Sequence, residues 1–288
     1  MKGLVILVLI VLLIILIQNR VTSNFTELSS IPKTIWTYWD GPEPPDSVRK
    51  CMQTWRNYNP DYDINLISSK NLSDYLPNVD VLGMKMANTA QRTSDLVRLH
   101  VLAEHGGIWC DSTIMMTAPI DFIHKYTGAD LLGFHIKGSD NKKEWPVIES
   151  WFFACPPKSD FVIKWRDTFV KINDFESADK YVESIKNQGV DISKVSIPEY
   201  LAIHVAAQHV LQKQMTRDDV EANLKLWKAE DGPFKYAVRN DWNSYESVKS
   251  ICSESAAELP PIIKFRGAER DVIDKHDELK CVFSGHLN

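Results

Sequence analysis

The chain has 288 residues, of which 44% are hydrophobic, 25% charged and 10% aromatic. This ordinary globular composition excludes a disordered chain, a collagen-like repeat and a disulfide-scaffold miniprotein. Lys+Arg 33 against Asp+Glu 38 leaves a formal net charge of −5, which excludes a nucleic-acid coat while leaving room for a local basic site that holds phosphate.

Residues 1–20 carry the first recognisable element, an unbroken apolar run from Gly3 to Ile17 between Lys2 and Gln18-Asn19-Arg20. As a helix this run (residues 3–17) reaches about 22 Å, short of a full bilayer core. Two readings stay open. One is a cleaved signal peptide, with Val21-Thr22-Ser23 as the small-residue cleavage site. The other is an uncleaved signal-anchor in a thin early secretory membrane, with Lys2 and Arg20 snorkelling to its interfaces. In both, the rest of the chain leaves the cytosol. The expectation is a single-pass membrane protein with a lumenal domain in the Golgi or secretory pathway; a bacterial inner-membrane or secreted protein is the alternative. The sequons Asn24-Phe25-Thr26 and Asn71-Leu72-Ser73 agree with that compartment. Five cysteines without zinc-like spacing leave at least one thiol unpaired within the chain. Cys252 and Cys281 could pair, which the sequence leaves open.

Residues 21–30 are polar and form a short stem, and residues 31–288 have the length of one domain with its own core. Residues 31–39 read as a strand ended by the turn Asp40-Gly41-Pro42. Asp46-Ser47 then caps a helix with Val48, Cys51, Met52 and Trp55 at helical spacing. Asn65-Leu66-Ile67 is a short strand, and Asn71 to Leu76 a brief helix stopped by Pro77. This alternation predicts an α/β core with parallel strands. Residues 93–105 form the best-defined helix, capped by Thr93 or Ser94, with Leu96, Leu99 and Leu102 as its buried stripe and Gly106-Gly107 as its end. Asp95 and Arg98 are then neighbours near a helix start, a natural place for a phosphate. Ile108-Trp109-Cys110 follows as a strand with Asp111 at its C-terminal end, where open α/β sheets bind ligands. Further on, 130–136 and 150–155 read as strands, 158–172 and 198–215 as helices, and 262–265 as a last strand after Pro260-Pro261.

The run Ser94-Asp95-x-x-Arg98-Leu99-x-x-Leu102, followed by Gly106-Gly107-Ile108-Trp109-x-Asp111, resembles the sugar-binding region of the DXD glycosyltransferases. That superfamily includes yeast-type initiating mannosyltransferases and glucosylating toxins. The resemblance is closer to its capsular polysaccharide synthesis branch, through Ile31-Pro32-Lys33-x-Ile35-Trp36-x-x-Trp39 and Gly106 to Thr113. Ser150-Trp151-Phe152, Glu199-Tyr200-Leu201-x-x-His204 and Lys264 are weaker pieces of the same likeness.

The resemblance implies a GT-A-type, Rossmann-like fold that binds a nucleotide sugar. It implies transfer of a hexose from a UDP- or GDP-sugar to a glycan hydroxyl, with retention of the donor's α configuration. Trp36 and Trp39 would line the base pocket, Asp95 would hydrogen-bond the donor sugar, and Arg98 would face the diphosphate. Asp111 would hold the ribose or a Mn²⁺ or Mg²⁺ ion. The sequence departs from the DXD pattern at Thr113, which stands where the second acid belongs and is a poorer ligand for a hard cation. A metal ligand would then come from elsewhere, with Asp121, His276 and His286 as the options. Without a metal, Arg98 and Lys264 would stabilise the leaving group.

Plainer roles compete at several positions. Trp36 and Trp39 lie three apart on a strand and point to opposite faces, so one of them can belong to the core. Asp95 and Arg98 can be a simple helix pair. His204 reads as a packed histidine rather than a base, and Cys110 as a small buried hydrophobe. No catalytic base is assigned. The alternative function is a non-enzymatic glycan- or nucleotide-sugar-binding domain, which Thr113 favours and the diphosphate-facing Arg98 opposes.

Overall fold

A computed structural model describes residues 30–126, 128–136 and 145–287. The apolar run 3–17, residues 21–29 of the stem and the sequon at Asn24 lie outside the described residues. Among the described residues, no helix is long and apolar enough to cross a membrane.

The strands are β1 (Thr34–Tyr38), β2 (Asp63–Ile67), β3 (Gly107–Cys110), β4 (Ile114–Met116), β5 (Leu131–His135), β6 (Ile148–Cys155), β7 (Leu224–Lys228) and β8 (Ile262–Lys264). Six of them form one sheet ordered β2-β1-β3-β6-β5-β7, while β4 pairs with β8. The expected parallel core holds where β1 runs beside β2 and β3. It fails at β6, which is antiparallel to both β3 and β5. The sheet is therefore mixed. The apolar run that forms β6 marks a buried strand but carries no information on direction, which depends on the connection.

The longer helices are α1 (Asp46–Tyr58), α2 (Ala90–His105), α3 (Asp160–Val170), α4 (Ala178–Asn187), α5 (Ala202–Lys213), α6 (Ser244–Ser253) and α7 (Gly267–Lys275). They cover the sheet on both faces. Trp109 and Phe153 pack with Leu96 and Leu99 of α2 and Trp165 of α3. The alternate residues Ile108, Phe152 and Ala154 pack on the other side with Val48 and Trp55 of α1. Burying each such large side chain is worth about 1.5–3 kcal/mol, so the strand interiors are committed to packing. Polar groups are left to the strand ends.

A third cluster gathers Val248 of α6, Ile273 of α7 and Phe283. The Cys252–Cys281 disulfide closes a loop with a sequence separation of 29 across it, which settles the pairing left open above. A loop of that size removes about 3–4 kcal/mol of denatured-state entropy in the chain-entropy account. Cys51, Cys110 and Cys155 are buried free thiols, and Cys110 is the small core residue expected.

Helix α2 starts a turn before the expected cap at Thr93 or Ser94. Thr89 is its N-cap, its hydroxyl accepting from the Arg92 N–H at 3.1 Å. Thr93 instead donates its hydroxyl to the Thr89 carbonyl at 2.9 Å, inside the helix. Asp95 and Arg98 therefore lie in the second and third turns, away from the free N–H groups of the helix start. The helix ends at Gly106, with φ 64°, followed by Gly107 with φ 95°. A Cβ on Gly106 would lie 2.4 Å from the Pro157 nitrogen, and one on Gly107 would lie 2.7 Å from the Thr34 carbonyl oxygen. Only glycine lets the chain turn here and enter the sheet so close to β1.

Candidate active site

β1 and β3 are parallel and end at one edge of the sheet, where the antiparallel β6 begins. That edge gathers Trp39 after β1, Asp111 after β3, and Glu149 and Ser150 at the start of β6. Gln91, Asp95 and Arg98, spaced four and then three apart, share one face of α2 and reach the same place. The β4–β8 pairing sets Ile114 opposite Lys264 and so delivers that lysine beside Thr113. α7 follows directly and adds Arg270.

All of these side chains except Trp39 and Ile114 line a cavity of about 460 Å³. It adjoins a second of about 370 Å³ walled by Trp39, Ser94 and Ser112, and the two share Gln91, Arg98, Asp111, Thr113 and Arg270. Both volumes suit a small-molecule site. A cavity of about 350 Å³ between Phe122, Phe134 and Trp227 is mainly aromatic and proline-lined, and one of about 170 Å³ beside Trp145 is smaller. Neither gathers charges in the same way.

Arg98 is fully committed to the protein. Its Nη1 donates to the Ser150 carbonyl at 2.6 Å and hydroxyl at 2.9 Å. Its Nη2 donates to the Ser94 hydroxyl at 3.2 Å and lies 3.3 Å from Asp95 and 3.4 Å from Asp111. The guanidinium also stacks over Trp109, 4.9 Å from the ring centre. It fixes two carboxylates against the end of the sheet and keeps little donor capacity for a ligand.

Asp111 accepts from Trp109 Nε1 at 2.9 Å and from Lys264 Nζ at 2.8 Å. Burial pushes its carboxyl up, but the Lys264 and Arg98 charges and the two hydrogen bonds outweigh burial and hold it below the ordinary value. Lys264 Nζ also donates to the Thr113 hydroxyl at 2.8 Å, so one ammonium bridges both positions of the motif. Asp95 behaves the other way. Burial raises its carboxyl above the ordinary value despite Arg98, Arg92 and His204, and it accepts from Gln91 Nε2 at 3.0 Å.

Of the residues singled out in the sequence, the structure brings Asp95, Arg98, Asp111 and Lys264 to the larger cavity and Trp39 to the adjoining one. It does not bring Trp36, which faces α2. Trp36 is buried, donates from Nε1 to the Gly106 carbonyl at 2.9 Å, and packs against Tyr75 and His105. The walls also hold His204, expected as a packed histidine and indeed buried, with Glu149 and Trp151, to which sequence reasoning gave no role. His204 Nε2 lies 3.6 Å from Glu149 Oε2, while His204 Nδ1 and Trp151 Nε1 are buried without a hydrogen bond. The Glu199 to His204 block was the signal for the histidine. Nothing local marks Arg270.

The Mn²⁺ or Mg²⁺ ion that the resemblance implies does not fit this arrangement. Both Asp111 oxygens are engaged by Lys264, Trp109 and Arg98, and the same ammonium takes the Thr113 hydroxyl. Among the described residues no group of three His, Cys, Asp or Glu could hold a metal. The other options are occupied elsewhere. Asp121 accepts from Tyr62 at 3.0 Å, His286 meets Tyr58 at 2.6 Å, and His276 sits 3.4 Å from Glu278.

Similarity to known proteins points the same way as the motif. An initiation-specific alpha-1,6-mannosyltransferase of Saccharomyces cerevisiae is 30% identical over 102 residues, 32% of this chain. The match spans 21% of that relative's length. Among solved structures, the galactosyltransferase LgtC is 10% identical, with 87% of this chain and 95% of that chain covered at a TM-score of 0.45. A glycosyltransferase involved in glycosylation of the major capsid of PBCV-1 is 12% identical, with 84% and 98% covered at a TM-score of 0.39. The assignment rests on sequence and not on these superpositions. The family model for capsular polysaccharide synthesis proteins matches residues 15–244, most of the chain, and the chain belongs to that family.

Proposed function

We propose that the chain is a glycosyltransferase that moves a hexose from a UDP- or GDP-sugar to a glycan hydroxyl, retaining the donor's α configuration. The observation that carries this reading is the meeting of Asp95, Asp111, Lys264 and Arg270 around one cavity at the C-terminal end of β3. Departure of a nucleoside diphosphate develops negative charge, and a fixed cation there lowers the barrier. In this reading Asp95 and the Gln91 side-chain carbonyl accept from sugar hydroxyls, the Gln91 amide nitrogen being spent on Asp95 and the Tyr200 carbonyl. No side chain is assigned as a nucleophile, so retention is read as attack from the face that the leaving group vacates. Catalysis then comes from positioning and charge stabilisation. The partial match to a mannosyltransferase supports a hexose.

The compartment we propose is a secretory lumen, with residues 3–17 as membrane anchor or targeting segment. The Cys252–Cys281 disulfide supports an oxidising compartment.

The test is nucleotide release by the full chain across a panel of UDP- and GDP-sugars, with Asp111→Asn alongside. Release of one nucleotide, lost in the variant, is expected. No release from any donor, together with no donor binding by calorimetry, would overturn the transferase in favour of the binding-domain reading.

A further inference from the structure

We infer that the cation facing the donor's diphosphate is built into the chain: Lys264 Nζ occupies the place of a divalent ion, Arg270 stands beside it, and the nucleotide binds without metal. This rests on reading the cavity as a nucleoside diphosphate site.

Three observations carry it. The ammonium sits 2.8 Å from both Asp111 Oδ2 and Thr113 Oγ1, the two positions that a DXD site turns toward its metal. The charge balance is also conserved. Two carboxylates with a divalent ion sum to zero, and so do one carboxylate and one ammonium. Thr113 in place of an acid and lysine in place of a metal are therefore one compensated exchange. Finally, the lysine is held and not merely nearby. Lys264 N donates to the Pro233 carbonyl at 3.1 Å and Phe265 N to the Thr113 carbonyl at 3.1 Å, which pins the backbone on both sides of the side chain.

An ammonium has three donors, and the Asp111 and Thr113 contacts use two. The third remains for an oxygen in the cavity that Lys264 lines, where its side chain is 11% exposed. Arg98 cannot take this part, because its own donors are spent on Ser94, Asp95, Asp111 and Ser150. Arg270 can. It lines both lobes of the cavity, and its ion pair with Asp271 is a loose 4.0 Å contact.

The experiment is calorimetry of UDP and GDP binding to the full chain in excess EDTA and in excess Mn²⁺, with Lys264→Met and the double variant Thr113→Asp/Lys264→Met beside it. A parallel Mn²⁺ titration without nucleotide uses the same proteins, each checked for folding by circular dichroism. The expected result is equal nucleotide affinity in EDTA and Mn²⁺ for the unaltered chain, and at least about tenfold weaker binding for Lys264→Met. The double variant should bind Mn²⁺ and regain nucleotide affinity only with it. Mn²⁺ that tightens binding to the unaltered chain about tenfold or more would overturn the inference. If no nucleotide binds under either condition, the transferase reading fails, and the Mn²⁺ titration still decides the cation. Uptake by the double variant alone supports lysine in the metal's place. Uptake by the unaltered chain, or by neither protein, overturns it. If the single variant fails to fold, the EDTA and Mn²⁺ comparison on the unaltered chain decides alone.

Discussion

β3 is four residues long, and its two ends are made of different material. It enters the sheet through Gly106 and Gly107, where the backbone runs against Pro157 and Thr34 too closely for any side chain. It leaves at Asp111, where Lys264, Arg98 and Trp109 converge on one carboxylate. The entrance is specified by shape and the exit by charge. One short strand thereby joins a motif's structural half, Gly-Gly, to its chemical half, Asp-x-Thr. A substitution at either end should show which property it serves.

The largest effect is expected at the exit. Asp111→Asn keeps a carbonyl to accept from Trp109 but removes the charge that balances Lys264. Under the proposed function it should lower kcat by about 100- to 1,000-fold, with an unchanged far-ultraviolet circular dichroism spectrum. Steady-state nucleotide release checks this, and near-normal turnover would place the exit with the entrance as structure. At the entrance, Gly107→Ala forces a Cβ to within 2.7 Å of the Thr34 carbonyl oxygen, at φ 95°. It should cost roughly 2–4 kcal/mol of stability by urea unfolding. Turnover per folded molecule should stay near normal.

The same division runs through α2. Asp95 and Arg98 meet the cavity, whereas His100 is buried, its Nε2 without a hydrogen bond. Burial, helped by the Arg166 charge, pushes its imidazole down from 6.5 to about 4. The folded chain then refuses a proton that the unfolded chain accepts. The stability contribution is complete above about pH 6.5 and is lost progressively as pH falls toward about 4. Urea unfolding at about pH 7 and about pH 4.5 should differ by roughly 2–3 kcal/mol through this residue. His100→Leu should flatten that part of the profile. A variant whose pH dependence matches the parent would refute the assignment.

How far the sequence reached follows the same line between local and distant causes. β1, α1, the end of α2, β3 and Asp111 announce themselves through neighbouring residues: a periodic stripe, a Gly-Gly stop, an acid after an apolar run. The start of α2 was misplaced because Thr89, Thr93 and Ser94 are all plausible caps, and only the geometry at Thr89 separates them. Other parts depend on pairings that no local pattern encodes. Lys264 reaches Asp111 across 153 residues through the β4–β8 ladder, and the resemblance, not the periodicity, drew attention to it. Arg270 is one more charged residue on an amphipathic helix until β8 turns that helix toward the cavity. The antiparallel course of β6, which brings Glu149 and Ser150 to the site, appears only in its pairing with β3 and β5.

The two tryptophans of the first strand region offer the finest test, because they carry the same side chain to opposite kinds of environment. Trp36 points into the core beneath the Gly-Gly turn, and its Nε1 holds the Gly106 carbonyl at 2.9 Å. Trp39 lies past the end of β1, donates to the Pro42 carbonyl at 2.9 Å and lines the smaller lobe beside Arg98 and Arg270. Trp36→Phe keeps most of the buried area and loses one hydrogen bond. It should cost about 1 kcal/mol of stability and leave nucleotide affinity unchanged. Trp39→Ala should cost about 1–2 kcal/mol of stability, because its ring packs half-buried on the core around Val48 and Trp55, and should weaken UDP or GDP binding by about tenfold, the scale of a lost stacking surface. A loss of affinity at Trp36 instead would mean that the core beneath the turn reaches the base. The entrance and exit of β3 would then be one site and not two.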